Sequence, residues 1–100
     1  MIYNKLVRDK IPEIIMQKGG RPVVHVASEE IYWQKLKEKL QEEVHEFMKD
    51  ENIEEIADIM EVLGAIVEYK KFHPTEIEQV KAKKFEERGG FKDRIILHES

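Results

Sequence analysis

Two helix-forming segments joined by a short polar turn restrict more than any other feature how this chain can fold. Ser28 is a suitable N-cap, and apolar residues then recur at helical spacing from Trp33 to near Lys49. Residues 50–52 are polar and typical of a turn, and Asn52 followed three residues later by an acid, Glu55, fits the capping box of a second helix. Because the connection is short, the two helices are predicted to pack as an antiparallel hairpin.

The second helix of this hairpin is apolar around most of its circumference. Its apolar residues are Ile53, Ile56, Ala57, Ile59, Met60, Val62, Leu63, Ala65, Ile66 and Val67. Such a helix is buried on several sides, and a chain of 100 residues offers few covering surfaces besides the first helix. We therefore predict that it also lies in a homodimer interface. Homo-oligomerisation would then complete a helix bundle that spans subunits.

The remaining segments predict an all-α single domain over residues 1–100. A short helix is expected over residues 11–18, with Pro12 near its start and a glycine pair past its end. Residues 21–27 are rich in β-branched side chains but are interrupted by Pro22, which predicts an extended connector or edge segment.

The C-terminal third predicts a fourth helix and a tail. The second hairpin helix is expected to continue to about Lys71. Thr75 with Glu78 fits another capping box, and a left-handed residue at the glycine pair 89–90 would end the fourth helix. Residues 91–98 are expected to be extended.

Composition and charge exclude several classes of protein. The absence of cysteine excludes disulfides, thiolate nucleophiles and cysteine-ligated metals. A net charge of -4 argues against general binding to nucleic acid polymers. No apolar run approaches the roughly 20 residues of a membrane span, and the N-terminus does not resemble a signal peptide, so we expect a cytoplasmic protein without a membrane partner.

The predicted hairpin carries two pairs of acids at i,i+3 spacing. They are Glu43 with Glu46 on the first helix, and Glu55 with Asp58 on the second. Glu46 and Glu55 lie equally far from the centre of the turn, and so do Glu43 and Asp58. Residues equally far from the turn lie at one level of an antiparallel hairpin, so four carboxylates are predicted to converge across about 8–10 Å.

Four converging carboxylates predict a site for a divalent metal ion. Their charges would repel, and Asp58 lies in the most apolar stretch of the chain, where an unpaired carboxylate is costly. Mg²⁺ takes oxygen ligands and keeps several waters that a phosphate can replace. The alternative is that these acids form an ordinary solvated surface.

These residues also resemble a known family. The pattern Glu-Glu-x-x-Glu over residues 42–46, followed by Glu-x-x-Asp over residues 55–58, is similar to that of the MazG-like, all-α nucleoside triphosphate pyrophosphohydrolases. The N-terminal motif Tyr-Asn-Lys-Leu-Val-Arg-Asp-Lys-Ile-Pro, residues 3–12, resembles the small single-domain branch related to phosphoribosyl-ATP pyrophosphohydrolase. So do Arg-Gly-Gly-Phe at residues 88–91 and the Arg-Ile that follows at residues 94–95. The likeness covers nearly the whole chain.

The resemblance implies a specific reaction, a cofactor and assembly as a homodimer or homotetramer. A nucleoside triphosphate would be hydrolysed between its α- and β-phosphates to a monophosphate and pyrophosphate, as housecleaning of non-canonical nucleotides. The cofactor would be Mg²⁺, with Mn²⁺ as the alternative ion, held by Glu43, Glu46, Glu55 and Asp58. Catalysis would use Glu43 and Glu46 together with Glu42, the last as a water-orienting base or outer ligand.

Basic and aromatic residues supply candidates for substrate binding. Bases gather at the two ends of the chain, and an acidic protein that binds a triphosphate needs local positive charge. The candidates are Lys5, Arg8, Lys10, Lys84, Arg88 and, for stacking on a base, Phe91. Surface solvation is the alternative for each of these cations, and a core position is favoured for Trp33.

Two other functions stay open at this point. Phosphoribosyl-ATP hydrolysis in histidine biosynthesis would use the same carboxylates on a different substrate. A non-catalytic helical dimerisation module would use the apolar helix for assembly and the acids as surface charge. Housecleaning ranks higher because the terminal motifs resemble that branch.

Overall fold

A computed structural model describes residues 4–100, which form four α-helices and no β-strand. The helices are α1 (Ile11–Gln17), α2 (Glu29–Lys49), α3 (Ile53–Lys70) and α4 (Pro74–Arg88). The all-α prediction is confirmed, and the bounds of the first three helices match the predicted ones to within one residue. Tyr3, the first residue of the N-terminal motif, lies outside the described residues.

Helices α2 and α3 form the predicted hairpin, and side-chain caps begin both of them. The Ser28 hydroxyl accepts a hydrogen bond from the Ile31 N–H at 3.3 Å, and the Asn52 side chain accepts one from the Glu55 N–H at 3.1 Å. The Asn52 N–H donates to the Asp50 carbonyl at 2.6 Å. Only half of the capping box is therefore formed, which leaves the Glu55 carboxylate for other contacts.

The core of the hairpin is small. Leu36 is 1% exposed and Val62 is 8% exposed, and they are the buried apolar residues of the described part of the chain. Trp33 near the start of α2 stacks on Tyr69 near the end of α3, with ring centroids 5.1 Å apart. The Tyr69 hydroxyl also donates to the Glu29 carbonyl at 3.4 Å. These contacts show that the two helices run antiparallel. Trp33 packs against α3 but stays partly exposed, so it is not one of the buried core residues.

Much apolar surface lies outside this core. On α3, Ile53 is 80% exposed and Met60 is 65% exposed, while every residue from 71 to 100 is exposed. The accessible surface is 9744 Å², against about 6,000 Å² for a compact protein of this size. The radius of gyration is 17.9 Å, against about 13 Å for a compact chain of this length. Within residues 4–100, much of the apolar surface of α3 is thus left uncovered.

Three predicted details at the C-terminal end were wrong. Helix α4 begins at Pro74, before the proposed Thr75 cap, because proline at the first helical position needs no partner for an N–H. Gly89 ends the helix with φ 78 and ψ -175, a positive φ open to glycine but not the left-handed helical conformation. Phe91 begins a turn, in which its carbonyl accepts from the Arg94 N–H at 3.1 Å, so residues 91–94 are not extended.

Residues 21–27 form no regular structure, which confirms the prediction of a connector. Val23 is fully exposed at 100%, and Pro22 precludes a ladder hydrogen bond at its own nitrogen. None of the helices within residues 4–100 combines the length and the apolar character that crossing a bilayer requires.

Candidate metal centre

The register of the hairpin brings three carboxylates together. Glu43 on α2 and Glu55 and Asp58 on α3 each place one carboxylate oxygen within 4.8 Å of the other two. The i,i+3 spacing sets the two α3 acids on one face of their helix, and Glu43 faces them across the pair of helices. Three of the four carboxylates predicted to converge therefore form one group, called here the carboxylate group.

Glu46 lies near the carboxylate group but is not among the acids whose oxygens lie within 4.8 Å of one another. Desolvation raises the pKa of the Glu55 carboxyl, and the charge of Asp58 raises that pKa further. Glu46 and Glu43 add smaller effects in the same direction. Negative charge is thus concentrated around Glu55 beyond what the neighbouring bases neutralise.

Two cations contact the carboxylate group from different parts of the chain. The Arg8 guanidinium donates from Nη2 to Oδ1 of Asp58 at 2.8 Å. The Nζ of Lys39 on α2 lies 3.4 Å from Oε1 of Glu43. Glu55 forms no ion pair with any described residue, which agrees with the raised pKa of its carboxyl.

Glu42 faces lysines rather than the carboxylate group. Its two oxygens accept from Lys5 Nζ at 3.1 Å and from Lys39 Nζ at 3.0 Å. Burial raises the pKa of Glu42, but the hydrogen bonds from Lys39 and Lys5 outweigh burial and leave that pKa below its ordinary value. A carboxylate held ionised in this way is a weak proton acceptor, so its position suits orienting a water more than removing a proton.

The other predicted substrate-binding residues do not contact the carboxylate group within one chain. Lys84 and Arg88 lie on α4, and Phe91 follows it with 98% of its surface exposed. Lys10 precedes α1 as its N-cap residue. Of the predicted substrate-binding residues, the structure therefore brings Lys5 and Arg8 alone to the acids of the hairpin.

Sequence reasoning did not single out Lys39 or Lys35. Lys39 stands three and four residues before the two acids that it contacts, a helical spacing that could have identified it. The Nζ of Lys35 donates to the Asn4 carbonyl at 2.8 Å across 31 positions of sequence. No local pattern predicts a contact of that range.

Comparisons with known proteins show no family for this chain. No protein-family model and no solved structure matches it. A stretch of 42 residues is 50% identical to an uncharacterized protein of Mycolicibacterium smegmatis, over 42% of this chain and 43% of that relative. The match thus spans less than half the length of the relative.

We expect Glu55→Gln to raise the Tm of the metal-free protein slightly at neutral pH, because it removes one of several repelling charges. The folded-state pKa of Glu55 is raised, so its contribution to stability is present below the unfolded pKa and is lost as the pH rises through the folded pKa. The difference in Tm between variant and wild type should therefore grow above pH 4.5, the ordinary glutamate value. Thermal melts in a chelator across pH measure this difference.

The matched control for this prediction is Glu54→Gln. Glu54 is the exposed acid immediately before Glu55 on α3, and it is not in the carboxylate group. This substitution makes the same change of charge and should give no such pH-dependent gain. A lower Tm for Glu55→Gln, or equal gains in both variants, would contradict the prediction.

Proposed function

We propose that this protein is a Mg²⁺-dependent nucleoside triphosphate pyrophosphohydrolase of the MazG-like kind. The carboxylate group of Glu43, Glu55 and Asp58, assembled by a helical hairpin, is the observation that carries the proposal. The reaction would release pyrophosphate and a nucleoside monophosphate. Its role would be the housecleaning of non-canonical nucleotides in the cytoplasm.

The donor set fits a hard divalent cation. All of its ligand atoms are carboxylate oxygens, which both Mg²⁺ and Mn²⁺ accept. The Glu43 side chain is 12% exposed and that of Asp58 is 39% exposed, so one side of the group is fixed by the hairpin and the other is open to a substrate. Desolvation and the charge of Asp58 both raise the pKa of Glu55, and a bound cation would offset these effects. Glu46 is proposed as a fourth or outer ligand.

In this scheme each contact around the carboxylate group has a role in hydrolysis. A bound ion supplies charge neutralisation for the triphosphate and a water of lowered pKa. Glu42, held by Lys5 and Lys39, orients the attacking water. Arg8 and Lys5 bind phosphate oxygens through charge-assisted hydrogen bonds. The water would attack phosphorus directly, without a covalent enzyme intermediate. The bridge between the α- and β-phosphates breaks, pyrophosphate leaves, and the proton of the water passes to solvent.

We also propose that the protein works as a homo-oligomer, a dimer or a tetramer. The exposed surface exceeds that of a compact protein of this size by about 3,700 Å², and obligate dimer interfaces bury about 2,000 Å² or more in total. The exposed apolar face of α3 and the exposed α4 are available for such an interface. Lys84, Arg88 and Phe91 would then be candidates to act on a partner subunit's substrate.

We expect Met60→Glu to shift the protein towards monomer, because it places a charge on the apolar face of α3 that the interface would bury. Sedimentation velocity across a range of protein concentrations measures the shift, and dissociation should be accompanied by a lower Tm. Gln34→Glu, which adds the same charge at an exposed position of α2, is the control and should leave the oligomer intact. A wild-type protein that is monomeric at every concentration would refute the assembly.

A non-catalytic dimerisation module is the second candidate function. The exposed apolar face of α3, with Ile53 80% and Leu63 44% exposed, favours it because assembly alone would account for that face. It does not account for the grouping of like charges in the carboxylate group.

Pyrophosphate release separates the two candidates. The assay uses canonical and damaged nucleoside triphosphates together with phosphoribosyl-ATP, each with Mg²⁺, with Mn²⁺ and with a chelator. We expect release only with metal, and a Tm that Mg²⁺ raises more than matched ionic strength does. Absence of release from every substrate, with no specific effect of metal on Tm, would favour the module.

A further inference from the structure

Residues 4–10, called here the strap, lie against the hairpin and make at least three polar contacts with it. The contacts are Lys35 Nζ to the Asn4 carbonyl at 2.8 Å, Lys5 Nζ to Glu42 Oε1 at 3.1 Å and Arg8 Nη2 to Asp58 Oδ1 at 2.8 Å. Apart from Leu6, every residue of the strap is exposed. These polar contacts, together with the partly buried Leu6, place the strap against the hairpin.

Of these three contacts, the one made by Arg8 involves the carboxylate group itself. Its guanidinium occupies an oxygen of Asp58, one of the three acids that could ligate a metal. The Arg8 side chain is 56% exposed and that of Asp58 is 39% exposed. Ion pairs this accessible to water and salt contribute little net stability. A divalent ion flanked by further carboxylates can therefore displace the guanidinium.

The other two contacts do not depend on the carboxylate group. Lys5 is bonded to Glu42, which is outside the group, and Lys35 is bonded to a backbone carbonyl. Both can persist while the side chain of Arg8 changes partner. The guanidinium would then stay close to the site after it leaves Asp58.

We propose that Arg8 and the divalent ion are alternative partners of Asp58, so that metal binding releases Arg8 to bind the phosphates of the substrate. This inference rests on the proposed function and adds an order of events to it. Without metal, the phosphate-binding guanidinium is occupied by the protein's own carboxylate. Once a cation neutralises Asp58, the planar guanidinium is free to form bidentate bonds with phosphate oxygens. Arg8 is thus the residue that couples metal binding to polyphosphate binding.

The test measures two affinities in wild type, Arg8→Gln and the control Arg21→Gln. Arg21 is exposed and forms no ion pair with any described residue, so its replacement makes the same change of net charge away from the site. Mn²⁺ binding is followed by the loss of the free-ion paramagnetic resonance signal, and inorganic pyrophosphate is then titrated into Mn²⁺-loaded protein by calorimetry. Circular dichroism checks that each variant is folded.

We expect Arg8→Gln to bind Mn²⁺ about two- to fivefold more tightly, because a competing cation is gone. The same variant should bind pyrophosphate about tenfold more weakly. Arg21→Gln should match wild type in both measurements. Arg8→Lys, which keeps the charge without the planar group, should bind Mn²⁺ like wild type and pyrophosphate with intermediate affinity. Opposite changes from one substitution are not expected of a residue with a merely structural role.

Other outcomes separate the inference from the proposed function. Unchanged or weaker Mn²⁺ binding by folded Arg8→Gln, with normal binding by wild type, would overturn the inference and leave the metal site standing. Failure of wild type to bind Mn²⁺ at all would remove the proposed metal site, and the inference with it.

Discussion

Replacing Asp58 by Asn is expected to lower the rate of pyrophosphate release by about 100-fold or more. The substitution keeps the size of the side chain but removes one charge from the carboxylate group, and with it the ion-pair partner of Arg8. Stabilisation by Mg²⁺ should be lost in the same variant, because the proposed metal site would lose one of its three grouped carboxylates and bind more weakly. Initial rates at saturating Mg²⁺ and the Tm with and without Mg²⁺ measure the two effects.

Two further variants show whether this loss is specific to the site. Asp93→Asn makes the same chemical change at an exposed position in the C-terminal segment and should retain wild-type activity. Glu46→Gln should lose less activity than Asp58→Asn, because Glu46 is not among the three acids whose oxygens lie together. Full activity in folded Asp58→Asn would show that the proposed mechanism does not use the carboxylate group.

Replacing Leu36 by Ala is expected to lower the free energy of unfolding by about 2–5 kcal/mol. Leu36 is 1% exposed, and the hairpin has few other fully buried side chains in the described part of the chain to compensate for a cavity. Urea denaturation at one fixed protein concentration measures the loss, since the stability of an oligomer depends on concentration.

The control for Leu36 is Met48→Ala on the same helix. Met48 is 68% exposed, so its truncation creates no cavity within one chain and should cost less than about 1 kcal/mol. Equal losses in the two variants would mean that the face of α2 carrying Met48 is buried as deeply as the hairpin core. In that case the assembly would involve α2 as well as α3.

The helices could be predicted because their signals are local. Ser28 and Asn52 each cap the helix that follows them, as their residue type and position indicate. The short turn then determines the level at which residues of the two helices meet, which is how Glu43 was correctly placed opposite Asp58. The fourth helix shows the limit of such signals. Both Pro74 and Thr75 are suitable at a helix start, and the helix begins at Pro74.

The composition of the carboxylate group was only partly predictable. Equal distance from the turn places Glu46 level with Glu55 but does not specify the direction of each side chain. In the structure, the carboxylate of Glu55 lies beside those of Glu43 and Asp58. Glu46 is outside the carboxylate group, and its charge raises the pKa of Glu55. Spacing along a helix predicts which side chains share a face. The packing of the two helices determines which of their oxygens come together.

By itself the sequence determined the three-residue turn, the hairpin and the level at which its acids meet, because caps, helical periodicity and turn length act over a few residues. Only the tertiary structure decided which contacts form between the N-terminal segment and the hairpin. Arg8 meets Asp58 across 50 positions and Lys35 holds Asn4 across 31, and such contacts depend on the path of the whole intervening chain.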